Sequence, residues 1–387
     1  MRFVKSFFKW LLILIALFVA ALYIFDYDYI LKAARTIYGQ GHKTAYLDDY
    51  KVFDTRIIKK SSNPQSWSLH KDYNNATSTE ILNKLHVKNG TVAFLIIKND
   101  SIWFEEYRED YTKDSKSNSF SMAKSIVSAL LGKAIKDGYI KSVDQPLTDF
   151  YPEFTSDFAK KVTVGDLATM SSGLDWDEAY YSPFSVTTRA YFEDELDKIM
   201  LNLKIIEEPG KEFKYLSGST QLLGMLIGKA SGKTLAEYLS EGFWQPMGAE
   251  NDAVWQLDSK ENGLEKAYCC IGSNARDFAR MGKLYKDLGN WKGKQILDTA
   301  FVKMSVTPRF KETPAYGYSW WLPFHLDRQF FMMRGHLGQY VIVQPEDNMI
   351  IVRLGHRRTE YYRPKTNFTD DIYIYIEEAY KMTGLYD

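Results

Sequence analysis

The sequence predicts an α/β (α+β) fold in which an antiparallel sheet is flanked by helices and carries a large, mostly helical insertion. Strand-like runs occur near residues 92–107 and return at 329–354. Most periodic segments between about 145 and 290 have helical spacing instead. Because strands near both ends enclose a helical middle, we expect the two groups of strands to share one sheet.

The early strands form a predicted hairpin over 92–98 and 101–107, because Asn99-Asp100 between them favours a tight turn. The later strands are predicted over 329–334, 339–344 and 349–354. Helices are predicted over 79–85, 164–170, 219–230, 235–243, 275–285 and, to close the chain, 370–382.

An unbroken apolar run, Trp10 to Phe25, follows Arg2 and Lys5 at the N-terminus. It is long enough to be a membrane segment, and no small-x-small cleavage site follows it, which favours an uncleaved anchor over a signal peptide. A buried core helix is a third interpretation, but the run has no amphipathic pattern. The basic residues before it predict a cytoplasmic tip, with the rest of the chain outside the cytoplasm.

These patterns suggest three parts of the chain. We expect a cytoplasmic tip and transmembrane anchor over 1–27, followed by a linker and lead-in segment over 28–75 that lacks a steady period. The main domain would then occupy 76–387, with its helical subdomain at about 145–290.

Composition excludes several classes of function. Lys+Arg and Asp+Glu both number 49, so the charge balance gives no reason to expect a nucleic-acid partner. The only cysteines, Cys269 and Cys270, are adjacent, and a disulfide between them would be strained and would close almost no loop. The six histidines are scattered without metal-binding spacing, so we expect no metal site and no cofactor.

The segment around Ser121 has the layout of an activated nucleophile. Apolar residues at 122, 126, 130 and 134 predict a buried helix that begins near Ser121 and stops at Gly138. Lys124 then lies on the same helix face as the hydroxyl. Its amine can accept a serine proton only if burial depresses its pKa, and a buried helix offers that setting. The alternative is an N-cap serine with a snorkelling lysine.

Two later segments carry further polar candidates. Tyr215 lies on a predicted turn, where its phenol could relay a proton, although an ordinary half-buried tyrosine is the alternative. His336 and Gly338 join two predicted strands. The glycine would let a substrate carbonyl approach the backbone, and the histidine would contact substrate or be a simple turn residue.

In order, S-x-x-K at 121–124, P-G-x-x-F-x-Y-x-S at 209–217 and H-x-G at 336–338 resemble the class C β-lactamase-related family of serine hydrolases. This family includes penicillin-recognising carboxypeptidases, esterases and 6-aminohexanoate-dimer hydrolases. The resemblance extends from about residue 75 to the C-terminus and implies a β-lactamase/transpeptidase-like fold. Supporting phrases match at 162–174, 218–224, 316–321 and 338–345.

The resemblance implies a role for each matching residue. Ser121 would be the acylated nucleophile, Lys124 its proton acceptor, and Tyr215 the shuttle that protonates the leaving group and activates the deacylating water. The backbone N–H groups of Ser121 and Gln339 would form the oxyanion hole. The expected substrate-binding residues are Ser217, His336, Gly338, Trp176 and Tyr181.

Two departures from the family pattern concern the substrate. The second motif is Y-x-S, the form of 6-aminohexanoate-dimer hydrolases and related esterases, where true class C β-lactamases have Y-x-N. The third is H-x-G, which lacks the lysine of K-T-G that helps to bind the β-lactam carboxylate. Trp176, Tyr180 and Tyr181 belong to a loop region that closes over substrate in such enzymes, or are surface aromatics.

We therefore expect a membrane-anchored serine hydrolase, periplasmic or on the cell surface, that cleaves a small ester or linear amide through an acyl-enzyme. One alternative is a D-alanyl-D-alanine carboxypeptidase or β-lactamase acting on cell-wall substrates, which stable penicillin acylation would reveal. Another is a catalytically silent protein that binds cell wall and does not react with serine-directed probes.

Overall fold

The computed structural model describes residues 2–42 and 44–386. Its main sheet has six strands, antiparallel throughout except for the last pair, which is parallel. The late strands lie directly beside the early hairpin, so the prediction of one shared sheet is confirmed. In spatial order the strands are Phe331–Gly335, Gln339–Gln344, Met349–Gly355, Thr91–Lys98, Ser101–Tyr107 and Ser68–Leu69.

The central hairpin forms because its two turn residues adopt left-handed conformations. Asn99 and Asp100 have φ values of 50° and 61°, as a two-residue type I′ connection requires. Successive side chains of the first strand point to opposite faces of the sheet. Leu95 faces the core that contains the Met122–Lys136 helix, whereas Phe94 packs beneath the C-terminal helix.

Helices cover both faces of the sheet. Met122–Lys136 packs against strand Phe331–Gly335 and helix Ser217–Ser231 and is buried along nearly its whole length. The closing helix, Asp370–Met382, has the predicted bounds and covers the other face. The other α-helices beyond residue 75 are Glu80–Asn89, Val164–Ala168, Val186–Phe192, Leu196–Asn202, Leu235–Leu239, Ala275–Lys286 and Thr299–Ser305.

A second, four-stranded sheet was not predicted from the sequence. Its strands are two to four residues long, too short to give a periodic signal. They tie the lead-in segment and the insertion to the chain that leads into Ser121. In spatial order they are Thr55–Ile58, Ala253–Gln256, Ile271–Ser273 and Ser117–Asn118. Two short ribbons pair Asn290–Trp291 with Lys294–Gln295 and Phe324–His325 with Arg328–Gln329.

The N-terminal helix, Arg2–Ile24, is long and apolar enough to cross a membrane, and most of its side chains are exposed. Its length and composition fit a membrane span or a signal sequence. A second helix, Tyr29–Tyr38, follows shortly after it and packs against Val186–Phe192. The 28–75 segment therefore adds a helix and two strands to the folded body.

Candidate active site

Ser121 and Lys124 are held together at the start of the buried helix. The Lys124 Nζ lies 3.1 Å from the Ser121 Oγ and donates another hydrogen bond to the Tyr268 carbonyl oxygen at 2.8 Å. Lys124 is only 1% exposed. Burial lowers its pKa to about 8, although the charge of Glu178 acts in the opposite direction. The amine is therefore far easier to deprotonate than that of an exposed lysine.

A sharp turn before the helix presents the Ser121 hydroxyl. Phe120 has a positive φ of 45°, a strained conformation of the kind that recurs at functional sites. Its N–H donates to the Asn118 side chain at 2.9 Å. Ser119 exchanges two hydrogen bonds with Ile271, through its N–H at 2.7 Å and its hydroxyl at 3.0 Å. These contacts fix the turn to the second sheet.

Tyr215 reaches the same site from the turn before helix Ser217–Ser231. The Lys124 Nζ lies 5.2 Å from the centre of the Tyr215 ring. The Ser121 side chain is near enough to the phenol to act on its pKa in the lowering direction. Burial, and after it the charge of Glu178, raises the pKa of Tyr215. The structure thus brings the three predicted polar side chains together and keeps the phenol protonated.

The third motif meets the site through Gly335 and His336. Gln339 is fully buried, and its amide side chain pairs with the main chain of Gly355, away from the nucleophile. Gly335, at the end of its strand, packs directly on the loop before Ser121, and His336 lines the cavity beside that serine. His336, and not Gln339, is among the residues that line the cavity with Ser121, whereas the predicted role of the Gln339 backbone N–H stays a prediction.

Gly338 lies in the turn of the third motif. Its φ is 84°, and a Cβ there would collide with the Arg353 guanidinium. The glycine is therefore needed for the turn and its packing, and its predicted role in the approach of a substrate carbonyl stays a prediction. His336, as predicted, lies where it can contact a substrate, and its ring stacks on Tyr180 with 5.7 Å between ring centres. Burial and the charge of Arg358 lower the pKa of His336 to about 4, so the imidazole is neutral near pH 7.

A carboxylate that the sequence did not reveal, Glu178, organises the loop over the site. It accepts hydrogen bonds from the Trp176 Nε1 at 2.9 Å, the Ser217 N–H at 2.7 Å, and the hydroxyls of Ser217 and Tyr180. In the sequence it is one acidic residue in a polar loop, and only the fold collects its donors. Ser217 therefore lines the cavity with its hydroxyl already engaged.

The two predicted loop aromatics occupy different layers. Tyr181 is 78% exposed and lines the cavity near Ser121, where a substrate can reach it. Trp176 is only 5% exposed and lies directly on Gly218, beneath the loop. Its indole N–H donates a hydrogen bond to the Glu178 carboxylate. The position of Trp176 thus fits support of the loop, a change from the predicted contact with substrate.

Two further features of the site concern cysteines and metals. Cys269 and Cys270 are joined by a disulfide between Tyr268, which binds the Lys124 amine, and Ile271, which pairs with the nucleophile turn. Within residues 2–42 and 44–386, no group of three or more His, Cys, Asp or Glu side chains is arranged to hold a metal ion.

Comparison with known proteins shows the family of this chain. The family model described as Beta-lactamase matches residues 85–371. A 6-aminohexanoate-dimer hydrolase from Paenarthrobacter ureafaciens is 24% identical over 287 residues, which cover 68% of this chain and 72% of that protein.

Solved structures extend the similarity to the fold. A candidate 6-aminohexanoate-dimer hydrolase from Bacillus anthracis superposes with a TM-score of 0.72 at 22% identity, covering 88% of this chain and 94% of that one. A D-amino acid amidase from Ochrobactrum anthropi SV3 superposes with a TM-score of 0.60 at 17% identity, covering 79% and 96%. The fold is thus β-lactamase/transpeptidase-like, and the molecule is a serine hydrolase of the amidase or esterase type. This chain belongs to the Beta-lactamase family.

Proposed function

We propose that this protein cleaves an ester or linear amide bond through an acyl-enzyme on Ser121. The observation that carries the proposal is the 3.1 Å contact between the Lys124 amine and the Ser121 hydroxyl at the edge of a cavity. A serine hydroxyl becomes an effective nucleophile when an adjacent base removes its proton. Lys124 meets both conditions for such a base, since it is within hydrogen-bonding distance and burial lowers its pKa to about 8.

The acylation step follows from these positions. Neutral Lys124 takes the proton of Ser121 as the Oγ forms a bond to the substrate carbonyl carbon. Tyr215, whose phenol stays protonated, donates a proton to the leaving group as its bond to the acyl carbon breaks. A water molecule then attacks the acyl-enzyme with the same groups acting in reverse, which releases the acid and restores Ser121.

The backbone N–H groups of Ser121 and His336 are the proposed oxyanion hole. Negative charge develops on the carbonyl oxygen in the transition state, and fixed N–H donors beside the nucleophile stabilise it. Support comes from His336, which lines the cavity with Ser121, and from Gly335, which packs against the nucleophile turn. We expect neither a metal nor an organic cofactor in this chemistry.

We further propose that the N-terminal helix anchors the enzyme in a membrane, with the catalytic domain outside the cytoplasm. Arg2 and Lys5 at the start of the apolar helix favour a cytoplasmic tip. The Tyr29–Tyr38 helix, which follows closely, is docked on the catalytic body, so the site would lie near the membrane surface.

Labelling with a fluorophosphonate probe tests the nucleophile. The parent should be labelled, and Ser121→Ala should lose labelling and turnover of p-nitrophenyl esters. Ser125→Ala is the matched control, because it removes a hydroxyl one turn along the same helix that bonds to the Ser319 carbonyl instead of facing the cavity. Equal labelling of Ser121→Ala and the parent would refute the assignment.

A further inference from the structure

Two lobes of the active-site cleft meet at Ser121. One is a chamber of about 280 Å³ without an Asp, Glu, Lys or Arg side chain among the described residues of its lining, and the other is a cleft of about 260 Å³ whose lining includes Glu178, Arg334 and Arg358. We call them the apolar chamber and the polar lobe. The stacked rings of Tyr180 and His336 line both lobes and stand between them. A substrate attached at Ser121 can therefore extend a different chemical group into each lobe.

The apolar chamber takes one wall from the helix that follows the N-terminal span. Ile30, Ala33, Ala34 and Ile37 line the chamber from the Tyr29–Tyr38 helix. Their spacing of i, i+3, i+4 and i+7 places them on one face of the helix. The chamber thus lies next to the segment that leaves the membrane in the proposed topology.

Specific contacts hold this wall in place. The Tyr29 hydroxyl donates to the Pro183 carbonyl oxygen at 2.9 Å. An ion pair joins Lys32 to Asp194 from the other side of the helix. The helix is therefore a fixed part of the chamber wall. A larger side chain on its apolar face would fill the cavity.

The polar lobe contains two guanidinium groups. Arg334 donates to the Asn367 carbonyl oxygen at 2.8 Å, and Arg358 donates to the Tyr362 hydroxyl at 3.1 Å. Burial alone would raise the pKa of Tyr362, but the hydrogen bond from Arg358 and both positive charges lower it overall. The lobe therefore favours negative charge at this point.

The acid nearest to these arginines in the same lobe is already engaged. Glu178 lines the lobe, but its carboxylate accepts the hydrogen bonds of the overlying loop. Among the residues that the structure describes, no carboxylate lies within ion-pair distance of Arg334 or Arg358. Both guanidinium groups can pair with an anionic substrate group.

We propose that the substrate is an amphiphile, an ester or amide whose apolar acyl chain fills the chamber and whose leaving group carries an anion bound by Arg334 and Arg358. This inference rests on the proposed function. Tyr215 lines the polar lobe, and since its phenol is the proposed proton donor to the leaving group, that lobe is the leaving-group side. The Ser121 Oγ bonds to the acyl carbon, the leaving group departs with a proton from Tyr215, and water later releases the chain as a carboxylic acid.

The chamber is tested with acyl chains of two lengths on the full chain reconstituted in phosphatidylcholine vesicles. Each methylene transferred from water into an apolar site is worth about fourfold, so the parent should prefer p-nitrophenyl octanoate over the acetate by at least about tenfold in kcat/KM. Ala33→Phe should fill the chamber and remove this preference. Arg35→Phe adds the same ring to the same helix on an exposed residue outside the chamber and should keep the preference.

Binding of an anionic leaving group in the polar lobe is tested with substrates whose leaving groups differ in charge. Octanoyl esters of 3-hydroxybenzoate and of 3-hydroxyphenyl phosphate are compared with the ester of uncharged methyl 3-hydroxybenzoate. The parent should prefer one or both anionic esters by about tenfold, as expected for a hydrogen bond to a charged group. Arg358→Gln should lose this preference and Arg358→Lys should retain part of it, and the preferred anion identifies a carboxylate or a phosphate substrate.

The outcomes separate this inference from the proposed function. If Ser121 still reacts with the fluorophosphonate but the parent treats octanoate and acetate alike, the amphiphile inference is overturned alone. The same holds if Ala33→Phe and Arg35→Phe change the ratio equally, or if charge on the leaving group has no effect. Loss of fluorophosphonate labelling in the parent would overturn the proposed function and this inference with it.

Discussion

Lys124 and Lys266 are both buried lysines, yet their surroundings suit different roles. Each is at most 1% exposed, and burial lowers the pKa to about 8 for Lys124 and to about 7 for Lys266. Each also donates a hydrogen bond to a backbone carbonyl, that of Tyr268 or of Tyr191. The difference lies in the next neighbour, because Lys124 has the Ser121 hydroxyl at 3.1 Å.

Lys266 has an aromatic ring at the corresponding place. Its Nζ lies 4.0 Å from the centre of the Phe53 ring and 5.1 Å from that of Tyr191. Phe53 belongs to the lead-in segment, so this lysine joins that segment to the catalytic body. The comparison teaches that a depressed pKa does not by itself identify a catalytic base. The group from which the amine can take a proton decides its role.

The largest expected difference between the two lysines is in catalysis. Lys124→Met should lower kcat for an ester by about a thousandfold, because loss of a general base typically has this effect. Lys266→Met should keep most of the activity per labelled active site. The measurement is the steady-state turnover divided by the fraction of enzyme that reacts with the fluorophosphonate. Comparable losses in the two variants would mean that the contact with Ser121 does not distinguish them.

Lys124→Met, which should lower activity, should also remove the cost of burying a charged amine in the folded state. The lowering of the Lys124 pKa from 10.5 to about 8 corresponds to at most about 3.4 kcal/mol of free energy of unfolding. Below pH 8 the amine is charged in both states and the folded state bears this cost. As pH rises from 8 to 10.5 the cost disappears. The parent should therefore gain stability relative to Lys124→Met over that window.

Urea unfolding of both full-length proteins between pH 7 and pH 11 measures this gain. Met also lacks the hydrogen bond to Tyr268, but that loss does not vary with pH and leaves the slope intact. Lys266 is present in both proteins, so its own titration cancels. A difference in stability that stays constant across the window would show that burial does not depress the pKa of Lys124.

Tyr215→Phe should have a smaller effect that depends on the leaving group. The proposed role of the phenol is to protonate that group, so an amide, which leaves poorly, should lose about a hundredfold in kcat. A p-nitrophenyl ester releases a stable anion and should lose much less. Measuring both substrates with one variant separates proton donation from a general loss of structure, which would slow the two reactions equally.

These contrasts also explain what the sequence could and could not predict. The hairpin around Asn99 and the closing helix Asp370–Met382 were predicted closely because their patterns are local. The donors around Glu178 and the packing of Gly335 against the turn before Ser121 were missed. Both depend on which side of a loop or turn faces Ser121, and that is set by contacts between segments far apart in the chain.

The smallest expected effect concerns the pH dependence of the two lysines. Activity of the parent should fall as pH decreases through about 8, because protonated Lys124 cannot accept the Ser121 proton. Glu178 raises the pKa of Lys124, so Glu178→Gln should move this acid limb to lower pH. Lys266→Met should leave the limb in place. A pH profile of kcat/KM for the parent, Glu178→Gln and Lys266→Met tests this expectation. If Lys266→Met shifts the acid limb, Lys266 and not Lys124 would be the base.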